Sequence, residues 1–287
     1  RVLTTTPLAV LHDRRQRKSQ IDPAYEPTVT ALIAAYNEES VVAGTVQSVL
    51  DSDYPLVQVI IIDDGSSDKT ADVVRKTFED DPRVVLLQKE NGGKASALNL
   101  GIQHATGEIL FCIDADTQLS PDAIRWLIQG FKDENIGAIA GNVRVGNVDG
   151  VLTTWQAIEY TTSQNVDRKA YAVMNAITVV PGAIGAWRKF AVDAVGAYSA
   201  DTLAEDMDLT MRLRKAGWRQ ETESRAKAFT EAPDTFRGFF KQRFRWAFGT
   251  LQCLWKHRGS IGHHGFFGWL VMPMMWTFQI LLQALAP

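Results

Sequence analysis

The stretch Ile60-Ile61-Ile62-Asp63-Asp64-Gly65 decides the predicted fold of this chain. A run of isoleucines favours a buried β-strand, because β-branched side chains pack well on a pleated surface. The two adjacent carboxylates that end the run repel each other, and core packing gives no reason for them. We therefore interpret Asp63 and Asp64 as part of a site at the end of a strand.

Apolar runs and helical patterns alternate through residues 28–145. This alternation predicts an α/β fold, with a mostly parallel sheet and right-handed crossovers. Beyond residue 150 it gives way to mainly helical patterns. The predicted strands are residues 29–34, 57–62, 84–87, 109–113 and a strand-like run 177–180, and the predicted helices are 38–50, 69–78, 94–104, one that Ser120 caps and Pro121 opens, 151–171, 203–216 and 236–256.

Polar segments follow the first, second and fourth predicted strands. They are Tyr36-Asn37-Glu38, Asp63-Asp64 and Asp114-Ala115-Asp116. Ligands of parallel α/β sheets bind beyond the carboxyl ends of the strands. We therefore expect these segments to meet at one edge of the sheet and to form a site.

Composition narrows the function classes. The chain has 287 residues, 46% of them hydrophobic and 22% charged, which is enough for one large domain or for one domain plus appendages. Its net charge of −3 is too small to indicate nucleic-acid binding. Cys112 and Cys253 lie far apart and cannot build a disulfide framework or a metal cluster, which favours a reducing compartment.

The C-terminal residues 268–286 are uncharged and long enough to span a bilayer. Pro273 and two glutamines weaken that interpretation, and an interfacial or buried helix is the alternative. Basic residues crowd the flanks at both ends of the chain, which by the positive-inside rule makes both flanks cytoplasmic. We expect a cytoplasmic domain of a longer, multi-pass protein of the inner membrane, with the lipid bilayer as a partner.

Asp114 and Asp116 are candidate metal ligands. Alternate residues of an extended chain share a face, so both carboxylates can converge on one cation. Oxygen ligands of this kind suit Mg²⁺ or Mn²⁺, which would in turn contact substrate phosphates. The alternative is a turn that an aspartate caps.

The glycine turn Asn91–Ala95 enters a helix with Lys94, so that backbone N–H groups and an ammonium are available to an anion. It is not a Walker A loop, because Gln88 and Ala95 stand where a glycine and a metal-binding hydroxyl are required. No G-x-G-x-x-G is present either. An NTPase and a nicotinamide dehydrogenase are disfavoured, and a plain turn with a surface lysine is the alternative.

Two further clusters lie in the second half. Glu205, Asp206 and Asp208 occupy the first turns of a predicted helix, whose dipole favours acids there and keeps a general base ionised. Gln242-Arg243-Phe244-Arg245-Trp246 offers guanidinium groups for phosphate and an indole for a sugar face. The alternative for the acidic cluster is a helix that its acids merely stabilise. The alternative for the second cluster is a basic-aromatic belt beside a membrane.

In this order, Ala35–Glu38, Asp63–Gly65, Gly93-Lys94, Asp114–Asp116, Glu205-Asp206 and Gln242–Trp246 resemble the motifs of the membrane-embedded processive family 2 glycosyltransferases. These are the synthases of cellulose, chitin, hyaluronan and poly-N-acetylglucosamine. The resemblance covers residues 28–287 and is greatest to bacterial poly-β-1,6-N-acetylglucosamine synthases. Pro181 and Ala204 depart from the residues that are common in this family, Cys or Ser and Thr respectively.

The resemblance implies a GT-A type nucleotide-diphospho-sugar transferase fold and a role for each matching residue. The implied parts are a juxtamembrane basic segment, 1–27, a catalytic domain, 28–258, and an interfacial helix with the start of a transmembrane segment, 259–287. The implied nucleotide site is Tyr36, Glu38, Asp63, Asp64, Lys94 and Asp114; the metal ligands are Asp116 and Asp114; the catalytic base is Asp206 with Glu205 beside it; and Gly182, Gln242, Arg243, Arg245 and Trp246 contact the diphosphate and the acceptor.

The activity that the resemblance implies is inverting, metal-dependent transfer of a sugar, N-acetylglucosamine, from a UDP-sugar to the end of a growing β-linked polysaccharide. The implied cofactor is Mg²⁺ or Mn²⁺, and an accessory membrane subunit is a partner that the resemblance allows. The alternatives are a cellulose- or hyaluronan-type synthase, a transferase with a lipid acceptor, and a non-catalytic subunit that binds sugar nucleotides. A haloacid-dehalogenase-type phosphatase is disfavoured because Gln118 stands where its motif requires Thr or Val.

Overall fold

A computed structural model describes residues 2–56 and 58–281. Within this part of the chain one mixed sheet has the strand order β3-β2-β1-β4-β7-β6-β8-β5. Strands β1 to β4 are mutually parallel, β7 is antiparallel to both β4 and β6, β8 is parallel to β6, and β5 is antiparallel to β8. The strands are β1 (Val29–Ala35), β2 (Gln58–Asp63), β3 (Val84–Gln88), β4 (Ile109–Asp114), β5 (Thr117–Leu119), β6 (Ile136–Val145), β7 (Gly185–Arg188) and β8 (Arg219–Thr230).

Helices cover both faces of this sheet. The α-helices are α1 (Val2–Gln16), α2 (Val42–Leu50), α3 (Thr70–Thr77), α4 (Lys94–His104), α5 (Ala123–Gln129), α6 (Val151–Glu159), α7 (Asp167–Val173), α8 (Lys189–Ala194), α9 (Glu205–Lys215), α10 (Phe236–Lys256) and α11 (Met272–Met275). Short 3₁₀ segments are Gly130–Lys132 and Arg258–Ser260, and π-helical segments are Tyr160–Val166, Phe267–Val271 and Trp276–Leu281.

Two hydrophobic clusters lie on opposite faces of the sheet. Ile33 and Ile61 pack with residues of α2 and α5 on one face, and Leu32 and Ile60 pack with residues of α4, α8 and α9 on the other. Side chains that alternate along a strand point to opposite faces, so a strand buried on both faces must be apolar throughout. The long apolar runs within β1 and β2 are explained by this double coverage.

The register of the parallel strands aligns the polar segments that follow them. Ala35 of β1 pairs with Asp63 of β2, and Ala34 pairs with Asp114 of β4. The ends of these strands therefore lie side by side. The predicted common edge is confirmed.

Four predicted elements differ from the structure. The helix that Ser120 was expected to cap begins at Ala123, because the Ala123 N–H donates to the Ser120 carbonyl in a preceding turn. The predicted helix 38–50 begins at Val42, because the Glu38 N–H donates to the Thr70 hydroxyl instead. The predicted strand 177–180 forms no strand, and the helix predicted over 151–171 contains the π-helical segment. Val57, the first residue of the second predicted strand, lies outside the described residues.

Both ends of the described chain pack against the sheet domain. In α1, His12 forms a hydrogen bond with Glu221 of β8 (2.9 Å), and Asp13 pairs with Lys169 of α7 (2.9 Å). Near the C-terminus, Phe267 and Met272 are buried against α9 and α10. Among the residues described, the structure contains no helix with both the length and the apolarity to cross a bilayer. The predicted parts 1–27 and 259–287 stay predictions, and residues 282–287 of the expected span lie outside the described residues.

A buried carboxylate joins α9 to α10. Asp208 is fully buried and accepts hydrogen bonds from Arg212 Nε (2.7 Å) and His257 Nε2 (2.8 Å), and it pairs with Lys256 Nζ (2.8 Å). Burial alone would raise the pKa of Asp208, but hydrogen bonds from His257, Lys256 and Arg212 lower it well below its ordinary value. This cluster fixes α10 to the helix that begins with Glu205.

We expect Asp208→Asn to destabilise the fold by about 3–5 kcal/mol, because removing one charge of a buried cluster leaves the others uncompensated. Urea denaturation measures the change. Asp201→Asn is the matched control: Asp201 pairs with the same Lys256 at 2.8 Å, but its side chain is 57% exposed. This exposed pair should contribute less than about 1 kcal/mol. Equal effects of the two substitutions would contradict the structural role of Asp208.

Candidate active site

A cavity of about 420 Å³ opens at the carboxyl ends of the parallel strands. It lies between this edge of the sheet, the first turn of α9 and the middle of α10. Nine of the predicted site residues line it: Lys94, Asp114, Asp116, Gly182, Glu205, Asp206, Gln242, Arg245 and Trp246. Tyr36, Glu38, Asp63, Asp64 and Arg243 are not among the lining residues.

Lys94 connects the two halves of the cavity. Its ammonium pairs with Asp114 at the end of β4 and lies 3.7 Å from Glu205 Oε1 on α9. Burial alone would lower the pKa of Lys94, but the charges of Asp114 and Glu205 outweigh it and hold that pKa far above its ordinary value. The lysine is therefore a permanent cation among carboxylates.

Gly182 lies where a side chain has no room. A Cβ built at this position would be 2.5 Å from Lys94 Nζ and 3.3 Å from Asp114 Oδ1. The Gly182 N–H donates to Asp206 Oδ2 (3.2 Å). This glycine thus lets the backbone reach the acidic cluster and helps to fix the Asp206 carboxylate.

Asp206 has the electrostatic character of a general base. Burial and the neighbouring charge of Glu205 raise its pKa to about 6, although Lys94 and the N–H groups of Met207 and Gly182 act in the opposite direction. A carboxylate with this pKa is ionised at neutral pH and still a better proton acceptor than an ordinary aspartate. Its position in the cavity makes it the best candidate for proton transfer.

Asp114 and Asp116 form a pair of acidic oxygen donors. Burial and the charge of Asp114 raise the pKa of Asp116, and the hydroxyls of Thr117 (3.2 Å) and Thr230 (3.3 Å) lie against Asp116 Oδ1. The described residues contain no group of three or more His, Cys, Asp or Glu side chains placed to hold a metal. Two carboxylates nevertheless fit Mg²⁺ or Mn²⁺, which commonly complete their coordination with water and substrate phosphates.

Asp63 and Asp64 hold their own loops. Asp64 accepts hydrogen bonds from Lys89 Nζ (2.7 Å) and from the N–H groups of Gly92 (3.0 Å) and Gly93 (2.8 Å). Asp63 accepts one from the Ser66 N–H (3.1 Å). Both carboxylates are 3% exposed, and Asp64 fixes the glycine turn that precedes Lys94. A contact of either residue with a nucleotide stays a prediction.

Tyr36 and Glu38 lie beside this edge of the sheet but outside the lining of the cavity. The Tyr36 side chain is 50% exposed and available to a ligand. Partial burial and the charges of Asp116 and Asp68 raise the pKa of Glu38 to about 7. Glu38 is thus within range of the charge of Asp116. Their assignment to a nucleotide site also stays a prediction.

On α10 the predicted residues have two different environments. Arg245 forms no hydrogen bond or ion pair with any residue in the described part of the chain, although it lines the cavity. Arg243 instead donates two hydrogen bonds to Glu159 of α6, one of them 2.6 Å long, and its guanidinium lies 4.8 Å from the Trp246 ring centroid. Arg243 therefore positions Trp246, whereas Arg245 is open to a ligand.

Arg168 and Tyr160 also line the cavity, and no sequence pattern pointed to either residue. Arg168 stands in the segment Asp167-Arg168-Lys169, a run of charges that is typical of a solvated helix face. In the structure both Asp167 and Arg168 are buried, at 7% and 6% exposure. Tyr160 packs against Trp246 with ring centroids 6.3 Å apart.

Comparison with known proteins gives consistent results. Residues 27–249 match the family described as "Glycosyltransferase like family 2". The chain is 36% identical over 227 residues to the poly-beta-1,6-N-acetyl-D-glucosamine synthase of Staphylococcus aureus (strain COL) and 35% identical to that of Staphylococcus epidermidis. Each match covers 79% of this chain and 55% of the relative, so the chain spans about half the length of these curated relatives.

One solved structure extends the comparison to the fold. It is a mannosyltransferase from Pyrobaculum calidifontis in complex with GDP-Man and Mn²⁺. The match has a TM-score of 0.71 at 26% sequence identity, and it covers 88% of this chain and 72% of the other. The arrangement of sheet and helices described above is thus that of the GT-A type of fold.

We expect the Asp206 carboxyl to titrate near pH 6 in carbon-13 NMR spectra, and near a higher pH in Lys94→Met. The lysine charge lowers the pKa of Asp206, so its loss must raise that pKa. Lys189→Met is the control, since Lys189 pairs with Asp193 on α8 and does not line the cavity. An unchanged or lower midpoint in Lys94→Met would contradict this account of the site.

Proposed function

The chain belongs to the family 2 glycosyltransferases, as its motifs indicated, and we propose that it transfers N-acetylglucosamine from UDP-N-acetylglucosamine to the end of a growing β-linked polysaccharide. The observation that carries this proposal is the convergence of Asp206, Lys94 and the Asp114–Asp116 pair on one cavity. The choice of sugar is supported by the relatives, which are named for a polymer of N-acetylglucosamine.

The proposed reaction is a single displacement at the anomeric carbon of the donor sugar. Asp206 takes the proton of an acceptor hydroxyl as the oxygen attacks, a new bond forms between this oxygen and the anomeric carbon, and the bond from that carbon to the diphosphate breaks. UDP leaves with the electron pair. Because attack and departure occur on opposite faces, the configuration inverts. Glu205 supports Asp206 by raising its pKa.

Negative charge grows on the departing diphosphate, and we assign two of the three cationic side chains that line the cavity to balance it. Lys94 and Arg245 are these residues. Lys94 is a fixed cation, held by Asp114 and Glu205, and such a cation stabilises developing charge more than a mobile one because little reorganisation is needed. Asp114 and Asp116 would hold Mg²⁺ or Mn²⁺, which when bound neutralises further diphosphate charge.

The aromatic wall of the cavity suits the acceptor. Trp246 is held by Arg243 and by Tyr160, so its ring has a fixed orientation. The apolar face of a β-linked sugar packs well on an indole ring. We assign Trp246 and Gln242 to the acceptor end of the cavity, and Gly182 to the backbone that supports it.

We also propose that α10 lies on a membrane surface. Phe236, Phe240, Phe244 and Phe248 recur every four residues on it and are 72%, 66%, 69% and 42% exposed. Residues at this spacing share one helix face. An exposed stripe of this kind suits burial at the headgroup boundary of a bilayer. A cytoplasmic domain against the inner membrane accounts for it.

A GDP-mannose donor is the second candidate, because the structural neighbour is bound to GDP-Man. The two donors differ in both nucleotide and sugar. Incubation with each of them, with and without Mn²⁺, and measurement of the nucleotide released therefore tests the proposal directly. Release of UDP that requires an acceptor would support transfer from UDP-N-acetylglucosamine. Release of GDP alone would instead identify GDP-mannose as the donor.

We expect Asp206→Asn to reduce sugar transfer by at least about 10²-fold while UDP binds within a few fold of wild-type affinity, since the amide occupies the same space but cannot accept the proton. Polymer formation and calorimetric UDP titration provide the two readouts. Asp193→Asn on α8, away from the cavity, is the control. Near wild-type transfer by Asp206→Asn would show that another group is the base.

We expect the double substitution Phe240→Ser, Phe244→Ser to weaken association with vesicles of anionic phospholipid by more than about tenfold, because two large apolar side chains no longer leave water. Co-sedimentation measures this. Phe190→Ser is the control: Phe190 is 63% exposed on α8, far along the chain from the stripe. Equal binding by the double variant and wild type would rule out this face as the contact.

A further inference from the structure

Arg168 is a buried cation in the wall of the cavity that the proposed mechanism does not use. It lies in the first turn of α7, is only 6% exposed and lines the cavity together with Asp206. Its guanidinium is close enough to Asp206 for the two charges to interact. Arg168 and the proposed base thus line the same cavity.

The protein leaves this guanidinium largely unpaired. Among the described residues its one hydrogen bond runs from Nη1 to the Gly141 carbonyl at 3.3 Å, and no carboxylate forms an ion pair with it. A guanidinium has five N–H donors, so most of those of Arg168 are not used by the protein. Burial lowers the pKa of Arg168 to about 10, against the influence of Asp206, so the group remains charged at neutral pH. None of its nitrogens is among the fully enclosed atoms of the described residues that lack a partner, so its free donors are accessible from the cavity and available to a ligand.

Helix α7, which carries Arg168, is held in place by an ion pair and by buried side chains. Lys169 pairs with Asp13 of α1 at 2.9 Å, and Ala170 and Ala172 are buried. The backbone of α7 is continuous with the π-helical segment Tyr160–Val166. Arg168 therefore stays directed at the cavity and does not turn to solvent.

The surroundings favour a neutral ligand oxygen over an anion. The cavity lining already contains six carboxylates, those of Asp114, Asp116, Asp167, Glu205, Asp206 and Glu231. A further anionic group beside Asp206 would be repelled by it, whereas an amide carbonyl is a strong acceptor without net charge. The lining near α7 also contains Tyr171 and Ile177, which suit the methyl group of an N-acetyl substituent.

We propose that Arg168 binds the acceptor saccharide by donating hydrogen bonds to the carbonyl oxygen of an N-acetyl group on the sugar next to Asp206. This inference rests on the proposed function and adds a specificity determinant to it. Arg168 selects N-acetylated over plain hexose acceptors, because an acceptor without the carbonyl leaves the guanidinium unpaired.

The test compares the wild type with Arg168→Gln and Arg168→Lys. Calorimetric titration is performed with a soluble β-1,6-linked N-acetylglucosamine oligosaccharide and with the matching glucose oligosaccharide, both in the presence of UDP and Mn²⁺. We expect Arg168→Gln to bind the acetylated ligand roughly 10- to 100-fold more weakly, with UDP affinity within about twofold. Affinity for the glucose ligand should change less than about threefold. Arg168→Lys should recover part of the loss.

Arg214→Gln is the matched control. Arg214 also donates one long hydrogen bond, Nη2 to the His264 carbonyl at 3.3 Å, and its Nε is unpaired, but it does not line the cavity. The substitution Arg214→Gln should leave the affinity for both oligosaccharides unchanged. If Arg168→Gln lowers the midpoint of thermal unfolding by much more than Arg214→Gln does, the affinities for the two oligosaccharides are compared in Arg168→Lys instead, because this variant keeps the charge.

The outcomes separate this inference from the function on which it rests. If the wild type releases UDP in an acceptor-dependent way and both Arg168 variants bind the acetylated oligosaccharide as tightly as the wild type, the inference is overturned and the function stands. An equal loss for the acetylated and the glucose oligosaccharide would also overturn it. If no donor yields UDP but binding still depends on Arg168, the proposed function fails and the saccharide site remains.

Discussion

The ammonium of Lys94 is the charge on which the arrangement of the site depends. Parallel strands bring the acidic segments after β1, β2 and β4 to one edge, and the first turn of α9 adds Glu205 and Asp206 from the other side. Like charges so close together would separate the elements that carry them. One lysine between Asp114 and Glu205 offsets this repulsion, and Gly182 leaves the space that its ammonium occupies.

Helix α9 divides its acidic residues between chemistry and structure. Glu205 and Asp206 face the cavity, whereas Asp208 is enclosed by Arg212, Lys256 and His257. Residues two apart on a helix point in different directions, so one short segment serves both purposes. The proposed base and the α10 residues around Trp246 are therefore held by a single rigid junction.

Strands β1, β2 and β4 could be predicted from the sequence, because each is a long apolar run and polar residues that include acids mark its end; β5 and β6 were not predicted. The same logic pointed to Asp114, whereas Lys94 was found from its glycine turn and Asp206 from the acids that begin a predicted helix. The features that sequence reasoning missed depend on residues far away in the chain. Residues 177–180 have the composition of a strand, yet the Val180 N–H donates to the Thr210 hydroxyl of α9. The burial of Arg168 and the enclosure of Asp208 likewise arise from elements far away in the chain, which no local pattern encodes.

The π-helical segment Tyr160–Val166 lets this part of the chain hold more residues than a regular helix of the same rotation. It lies between Glu159, which holds Arg243, and Arg168, which faces the cavity, so the two contacts share one continuous helix. Each residue of an α-helix turns it by about 100°, and π-helical bonds span one residue more than α-helical ones, so each residue of the segment turns the helix less. A regular α-helix with the same number of residues would rotate one contact away from the other, whereas one that is a residue shorter would keep both. The π-helical bonds thus absorb one residue without moving either contact.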